Sequence, residues 1–291
     1  DKEEWKVTIV DQHKTHYYQP GFLFIPFGIY NKQDVTKPKY DFFPAGVDVI
    51  FSPIDKIVGK ENKVYLDGGK VLNYDYLIIA TGTQTRPSET TGLQDKLWYK
   101  DIFDFYTIEG ALALHQRLKN FEGGNLVMCI PELPYKCPVA PIEFVCLAEA
   151  YFTKRGIRDK VNITYVTLMS GAFTKPVASK MLGELLDEKN IKVIPDFYLE
   201  HVDNENKKIV SYDEREIPFD ILTIVPVNMG SDMIERSGLG DDMNYVKTNK
   251  FTLQSEQFEN IFVIGDAANI PTSKAGSVAH FAGEILMENL L

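Results

Sequence analysis

The chain is poor in several of the features that would identify a protein at sight. It has 3 cysteines in 291 residues, irregularly spaced, which excludes a disulfide framework. Its 5 histidines do not combine with those cysteines at zinc-ligand spacing, so no metal site is expected. Basic residues are outnumbered, 31 Lys and Arg against 41 Asp and Glu, for a net charge of −10. A nucleic-acid partner is therefore not expected, because phosphate binding needs a basic surface. No apolar run approaches a bilayer-spanning length, which leaves only attachment at a membrane surface. Internal repeats and low-complexity tracts are missing, as is any signal or transit pattern. What remains is ordinary for globular structure: 44% hydrophobic residues, 25% charged, and enough chain for two domains with cores of their own. Both ends read as cut: the chain starts DKEEWKVTIVD and stops inside an apolar helix, GEILMENLL.

The most informative stretch is Leu126–Tyr151, LVMCIPELPYKCPVAPIEFVCLAEAY. It reads as an apolar strand, Leu126–Ile130, a loop, and a helix from about Ala140. A nucleotide-binding βαβ turn at this place carries glycines, so that backbone amides reach a pyrophosphate. Here Pro131, Pro134, Pro138 and Pro141 stand instead, without amide donors. The loop presents a thiol, Cys137, just before a helix N-terminus and beside Lys136. Both neighbours favour the thiolate, the nucleophilic form. The plainer reading is a half-buried loop cysteine without chemistry. Cys129, in the strand, and Cys146, on the helix's apolar face, read as core residues.

Other segments supply a ligand-binding frame. Lys6–Val10 is a strand closed by Asp11, an acid placed to accept hydrogen bonds from a ribose, or simply a turn former. His13–Gly28 is rich in aromatics and serves as a buried connection or an aromatic ligand wall. Strands are expected over Val47–Ile57, Lys63–Leu66 and Lys70–Leu72, with a turn at Asp67-Gly68-Gly69. Leu77–Ala80 runs into Thr81-Gly82, where glycine lets backbone approach a ligand closely. Thr107–Lys119 and Val177–Lys189 have helical periodicity. Strands at Val161–Leu168, Ile191–Ile194, Tyr198–Val202, Lys207–Tyr212 and Ile221–Val225 alternate with these helices, predicting a mostly parallel α/β sheet. Further short strands are expected at Phe251–Leu253 and Ile261–Ile264. The latter leads into Gly265-Asp266 and a helix from Ser277 to Leu291. A carboxylate between strand and helix can bind a ribityl hydroxyl, while the helix N-terminus faces an anion.

Taken in order, the Asp11 strand, LIIATG (Leu77–Gly82) and IFVIGD (Ile261–Asp266) resemble the two-dinucleotide-binding-domain flavoproteins. YKCPVAPIE (Tyr135–Glu143) and the ending NIPTSKAGSVAHFAGEIL narrow the resemblance to the sulfide:quinone oxidoreductases and the related flavocytochrome c sulfide dehydrogenases. The resemblance implies an α/β fold of two Rossmann-like, three-layer FAD/NAD(P)-binding-type domains. Residues 1–100 and 245–291 would form the flavin domain, and 101–244 the second domain, which holds the redox cysteine. It implies FAD held through Asp11 at the ribose, Ile54 near the adenine, Ala80-Thr81-Gly82 near the pyrophosphate and Gly265-Asp266 near the ribityl chain. Thr272, Lys274 and Gly276 would lie near the isoalloxazine and a quinone pocket. Cys137 and Lys274 would carry the chemistry, Lys274 as a positive charge beside the reduced ring.

On this reading sulfide is oxidised to polysulfide through a cysteine–FAD relay and quinone takes the electrons. The protein would be a peripheral protein of a prokaryotic cytoplasmic membrane and a candidate homo-oligomer. FAD should be noncovalent, because YKDIFDFYT before the Thr107 helix has no cysteine. The family's partner cysteine and its first glycine-rich turn have no counterpart here. The rivals are a type II NADH:quinone dehydrogenase, a flavocytochrome c sulfide dehydrogenase subunit and a flavin-free interaction module.

Overall fold

The computed structural model describes residues 5–290. Two compact units emerge. One comprises the chain up to Tyr17, Thr36–Gln84 and the chain from Asn228; the other comprises Tyr18–Val35 and Thr85–Val227.

The second unit is built on a five-stranded parallel sheet. Its order is Ile102–Phe103, Ile221–Ile224, Gly124–Ile130, Val161–Thr167, Ile191–Ile194. A central parallel strand is covered on both faces, which explains the unbroken apolar run Leu126–Ile130. Its residues divide with period two: Leu126, Met128 and Ile130 enter one core, Val127 and Cys129 the other. The first core lies under helices α1 (Ile108–Lys119), α2 (Ala140–Lys154) and α3 (Pro176–Glu188), which supply Leu114, Phe144, Phe152 and Leu186. Phe144 and Phe152 are fully buried, worth about 1.5–3 kcal/mol each in water-exclusion terms. The opposite face is covered by an antiparallel meander, Leu199–Asp203, Lys208–Ser211 and Glu216–Pro218, giving three layers. α1 starts where expected: Thr107 is its N-cap, accepting from Gly110 N at 3.0 Å.

The aromatic stretch His13–Gly28 is resolved in favour of packing. Phe22, Leu23, Ile25 and Phe27 are buried in the helix-side core, with Phe27 5.3 Å from Phe144.

The first unit contains three parallel pairs, Thr8–Asp11 with Asp48–Phe51, Leu77–Ile79 with Ile261–Val263 and the short Val246–Lys247 with Ala268–Asn269. An antiparallel sheet of Ile54–Val58, Lys63–Leu66 and Val71–Asn73 accompanies them, its last two strands joined through the Asp67-Gly68-Gly69 turn. Helix α4 (Asp232–Arg236) packs on this sheet, and Ile57 N donates to Ser237 Oγ just beyond it at 2.8 Å. Helix α5 covers Gly276–Leu290; Leu291, where the sequence ends it, lies outside the described residues.

Two strand expectations are corrected. Val47–Ile57 is two strands, split at Ser52-Pro53, because proline cannot donate to a ladder. Phe251–Leu253 is a turn, not a strand. Asn249 Oδ1 accepts from Phe251 N (2.9 Å) and Thr252 N (3.3 Å), and Leu253 adopts φ +61. The apolar character that suggested a strand serves burial, since Leu253 packs with Phe262, Ala282 and Leu286. Among the described residues no helix is long and apolar enough to cross a membrane.

Candidate functional site

The cysteine loop leaves the carboxyl end of the central strand Gly124–Ile130 and enters α2, where ligands bind in parallel α/β sheets. Cys137 is half-buried and adopts φ +54, a left-handed conformation that costs a non-glycine residue about 1 kcal/mol or more. Surrounding bonds hold it there. Ala140 N donates to Cys137 O at 3.1 Å, and the buried Tyr135 donates its hydroxyl to Pro138 O at 3.0 Å. Lys136, next to Cys137 in sequence, donates from Nζ to Gln19 Oε1 at 2.9 Å, a residue 117 positions away. None of the three cysteines is in a disulfide. Burial pushes the Cys129 thiol far up, and burial first, against Lys189, pushes Cys146 up, so both settings favour the protonated thiol. Cys137 is left as the thiol with a reactive setting.

In the first unit, two of the turns chosen from sequence leave the carboxyl ends of two adjacent parallel strands. Val263 pairs with Ile79, so Ala80-Thr81-Gly82 and Gly265-Asp266 leave the same end of the pair. Gly82 has φ +65, and a Cβ built there would meet nothing within 4 Å, so the backbone is open to a ligand. Ala80 and Thr81 are exposed. Asp11 ends its strand opposite Phe51; its Oδ1 accepts from His13 N at 2.8 Å, and its Oδ2 is ion-paired with Lys39. Each carboxylate oxygen keeps a second lone pair for a ribose hydroxyl. Ile54 opens the antiparallel sheet and packs against the unit's core. Thr272 and Gly276 are found on the segment leading to α5, Thr272 exposed and Gly276 at the first position of the helix.

Lys274 is not the solvated lysine its position at a helix start would suggest: it is only 5% exposed. Its Nζ donates to Asp266 O (2.9 Å) and Ala268 O (2.7 Å) and sits 3.9 Å from the centre of the Tyr245 ring. Burial pushes the ammonium down from its ordinary value, while Asp266 and Asp241 pull it back up. Tyr245 is fixed by donating its hydroxyl to Asn228 O at 2.6 Å, and Asn228 is fully buried.

Gln19, Lys39 and Tyr245 were not found from sequence. Each acts through a partner far along the chain, and none lies in a motif.

The architecture defines the class: it is an α/β fold with Rossmann-like domains, shared with solved oxidoreductase structures. The A. aeolicus sulfide:quinone oxidoreductase structure superposes with a TM-score of 0.80 over 98% of this chain and 72% of that one, at 22% identity. The particular relatives are the sulfide:quinone oxidoreductases, to which the chain is homologous along nearly its whole length. It is 31% identical to the mitochondrial sulfide:quinone oxidoreductase of Mus musculus over 95% of this chain and 63% of that protein. It is 27% identical to that of Dictyostelium discoideum over 100% of this chain and 65% of that protein. The chain thus spans less than two thirds of the length of these relatives. Residues 111–226 match the family described as "Sulfide dehydrogenase [flavocytochrome c] flavoprotein chain, central".

Proposed function

We propose that the full protein containing this chain is a flavoenzyme that oxidises sulfide and passes two electrons to a quinone. Hydrogen sulfide and quinone together give zero-valent sulfur, retained as polysulfide, and quinol. The observation that carries this reading is Cys137. It is a left-handed, half-buried thiol at the head of α2, next in sequence to an anchored lysine, in a turn where a pyridine-nucleotide site needs glycines.

Asp11, Ile54, Ala80, Thr81, Gly82, Gly265, Asp266, Thr272, Lys274 and Gly276 are the residues proposed to hold FAD. Gly82 leaves its approach open, and Asp11 keeps free lone pairs. Bound there, FAD supplies the two-electron acceptor that neither cysteine nor lysine can provide. It is proposed to be noncovalent. The chain's own residues prepare the chemistry. The N-terminus of α2 and Lys136 favour the Cys137 thiolate, whose role is nucleophilic sulfur exchange. Lys274 holds a positive charge in a buried place, ready to balance anionic character on a neighbouring ring.

Quinone access and peripheral membrane attachment belong to this reading. A prokaryotic membrane was the expectation from sequence. The mitochondrial names of the Mus musculus and Dictyostelium relatives make compartment a question for fractionation.

The test is an anaerobic flavin titration of the full-length protein with sulfide and, separately, NADH. Bleaching by sulfide that is lost in Cys137→Ser, without response to NADH, is the expected result. Bleaching by NADH alone returns the protein to the NADH:quinone dehydrogenases.

A further inference from the structure

One buried tyrosine of the first unit ties together the two turns proposed to hold FAD. The parallel pairing of Val246 with Ala268 sets Tyr245 beside the Gly265–Ala267 turn. Both backbone groups of Tyr245 are bonded to Asp241: its N–H donates to Asp241 Oδ1 at 3.0 Å, and its carbonyl accepts from Asp241 N at 2.9 Å. Its hydroxyl donates to Asn228 O at 2.6 Å. Thr83 Oγ1, one residue past Gly82, approaches Asn228 Oδ1 at 3.5 Å. The ring is thus fixed from its backbone and from its far end.

The face of that ring meets Lys274 Nζ at 3.9 Å from the centroid. An ammonium has three N–H donors. Asp266 O and Ala268 O accept two of them, at 2.9 and 2.7 Å, and the ring covers the ammonium from another side. Burial weakens the charged form of Lys274, and Asp266 and Asp241, the carboxylates that face it, favour that form. The ring adds an attraction of a different kind. Burial first, then Asp266 and Asp241, raises the Tyr245 phenol, so it meets the ammonium as a neutral group. A neutral ring face holds a cation through its quadrupole, without a net charge that would cancel the cation's field.

We infer that Tyr245 is a positioning residue of the flavin site: its ring seats the Lys274 ammonium and so sets how strongly the protein favours reduced, anionic flavin. The inference rests on the reading that FAD binds beside Lys274. Lys274 would then act as a fixed charge, held by two carbonyls and a ring that are themselves held by the fold.

The test is the midpoint potential of FAD in the full-length protein, measured spectroelectrochemically at neutral pH. Tyr245→Leu removes the ring and the hydroxyl; Tyr245→Phe removes the hydroxyl alone. Tyr245→Leu is expected to lower the two-electron potential by about 30 mV, a tenfold change in the ratio of reduced to oxidised flavin. Tyr245→Phe is expected to keep the wild-type potential while losing stability with the Asn228 bond. A merely structural role would not separate the two readouts in this way. Ring-fluorinated phenylalanines at position 245 make the same test if the leucine variant does not fold. Fluorine drains the ring face with little change of shape, so the potential should fall stepwise from that of Tyr245→Phe. Suppose Lys274→Met shifts the potential: an unchanged Tyr245→Leu or a flat fluorinated series then overturns the role of Tyr245 alone. Equal shifts in Tyr245→Phe and Tyr245→Leu overturn it too, because they assign the effect to the hydroxyl. A Lys274→Met potential equal to wild type overturns the reading that FAD lies beside Lys274, and Tyr245 with it.

Discussion

Replacing Lys274 by Met keeps most of the side-chain volume and removes the charge together with its three contacts. Two of these are hydrogen bonds to Asp266 O and Ala268 O at 2.9 and 2.7 Å; the third is the Tyr245 ring at 3.9 Å. Charge-assisted bonds contribute about 1.5–3 kcal/mol each and a desolvated cation–π contact about 2 kcal/mol. The opposing term is desolvation of the ammonium, several kcal/mol in a real protein interior. After the change the two carbonyls are unpaired, at about 1–3 kcal/mol each where water cannot reach them. Asp266 is only partly buried but Ala268 is fully buried, so water recovers part of the cost at Asp266 O alone, and the net loss should be about 2–4 kcal/mol at neutral pH. Urea unfolding followed by circular dichroism measures it directly. The sign of the pH dependence provides a second readout. A lysine pushed down in the fold binds fewer protons folded than unfolded, so its contribution is complete above the ordinary value of 10.5. That contribution is lost as pH falls through the lowered folded value. Wild type should therefore gain stability toward pH 10.5 across that interval, and Lys274→Met should not. A variant within about 0.5 kcal/mol of wild type, with the same pH slope, would refute the buried-ammonium argument.

Other changes probe the frame. Gly92 has φ +78, and a Cβ there would lie 2.1 Å from Val202 O, so Gly92→Ala should lower stability by roughly 3 kcal/mol or more in thermal melts. Tyr245→Phe removes a 2.6 Å bond to the carbonyl of fully buried Asn228 and should cost about 1–2 kcal/mol in urea, while leaving the cation–π contact. Asp101 is pushed up by burial, but hydrogen bonds from Lys207 (2.7 Å) and Arg117 (3.0 Å) outweigh it and hold the carboxyl below its ordinary value. Its stabilisation is present above pH 3.8 and lost as pH falls through the lowered value, so acid unfolding monitored by fluorescence should be shallower in Asp101→Asn. Gln19→Ala frees Lys136, and iodoacetamide should then alkylate Cys137 more slowly at neutral pH than in wild type.

The core was legible because burial leaves a periodic trace. The apolar run Leu126–Ile130 and the helical periodicities of Thr107–Lys119 and Val177–Lys189 each mapped onto the element they implied. The sequence also placed the turns Ala80-Thr81-Gly82 and Gly265-Asp266 after strands, and those strands pair so that both turns leave one end. The supporting partners left no such trace. Gln19 reaches Lys136 only because residues 18–35 join the second unit, and Lys39 reaches Asp11 across 28 positions. Lys274 read as a functional charge with a solvated lysine as the lesser alternative, and nothing in the sequence showed that the carbonyls of Asp266 and Ala268 and the Tyr245 ring enclose it. Phe251–Leu253 misled because an apolar triplet looks like a strand when the Asn249 turn that bends it is ignored.

The interleaving of the two units sets an order on their making. Every stretch of the second unit has left the ribosome once Val227 is out, whereas the first unit, begun before Tyr18, still lacks everything from Asn228 onward. Leu77–Ile79 must wait for Ile261–Val263, its parallel partner, more than 180 residues later. At about 5–20 residues per second that delay is roughly 10–40 s. During it the Leu77 strand has an unpaired edge and an uncovered apolar face, a target for chaperones or for another nascent copy. The second unit, by contrast, can close early over its own core. Synthesis from the N-terminus thus finishes the cysteine-bearing body before the proposed flavin-holding body, so a cofactor that binds the latter would enter after the former has closed.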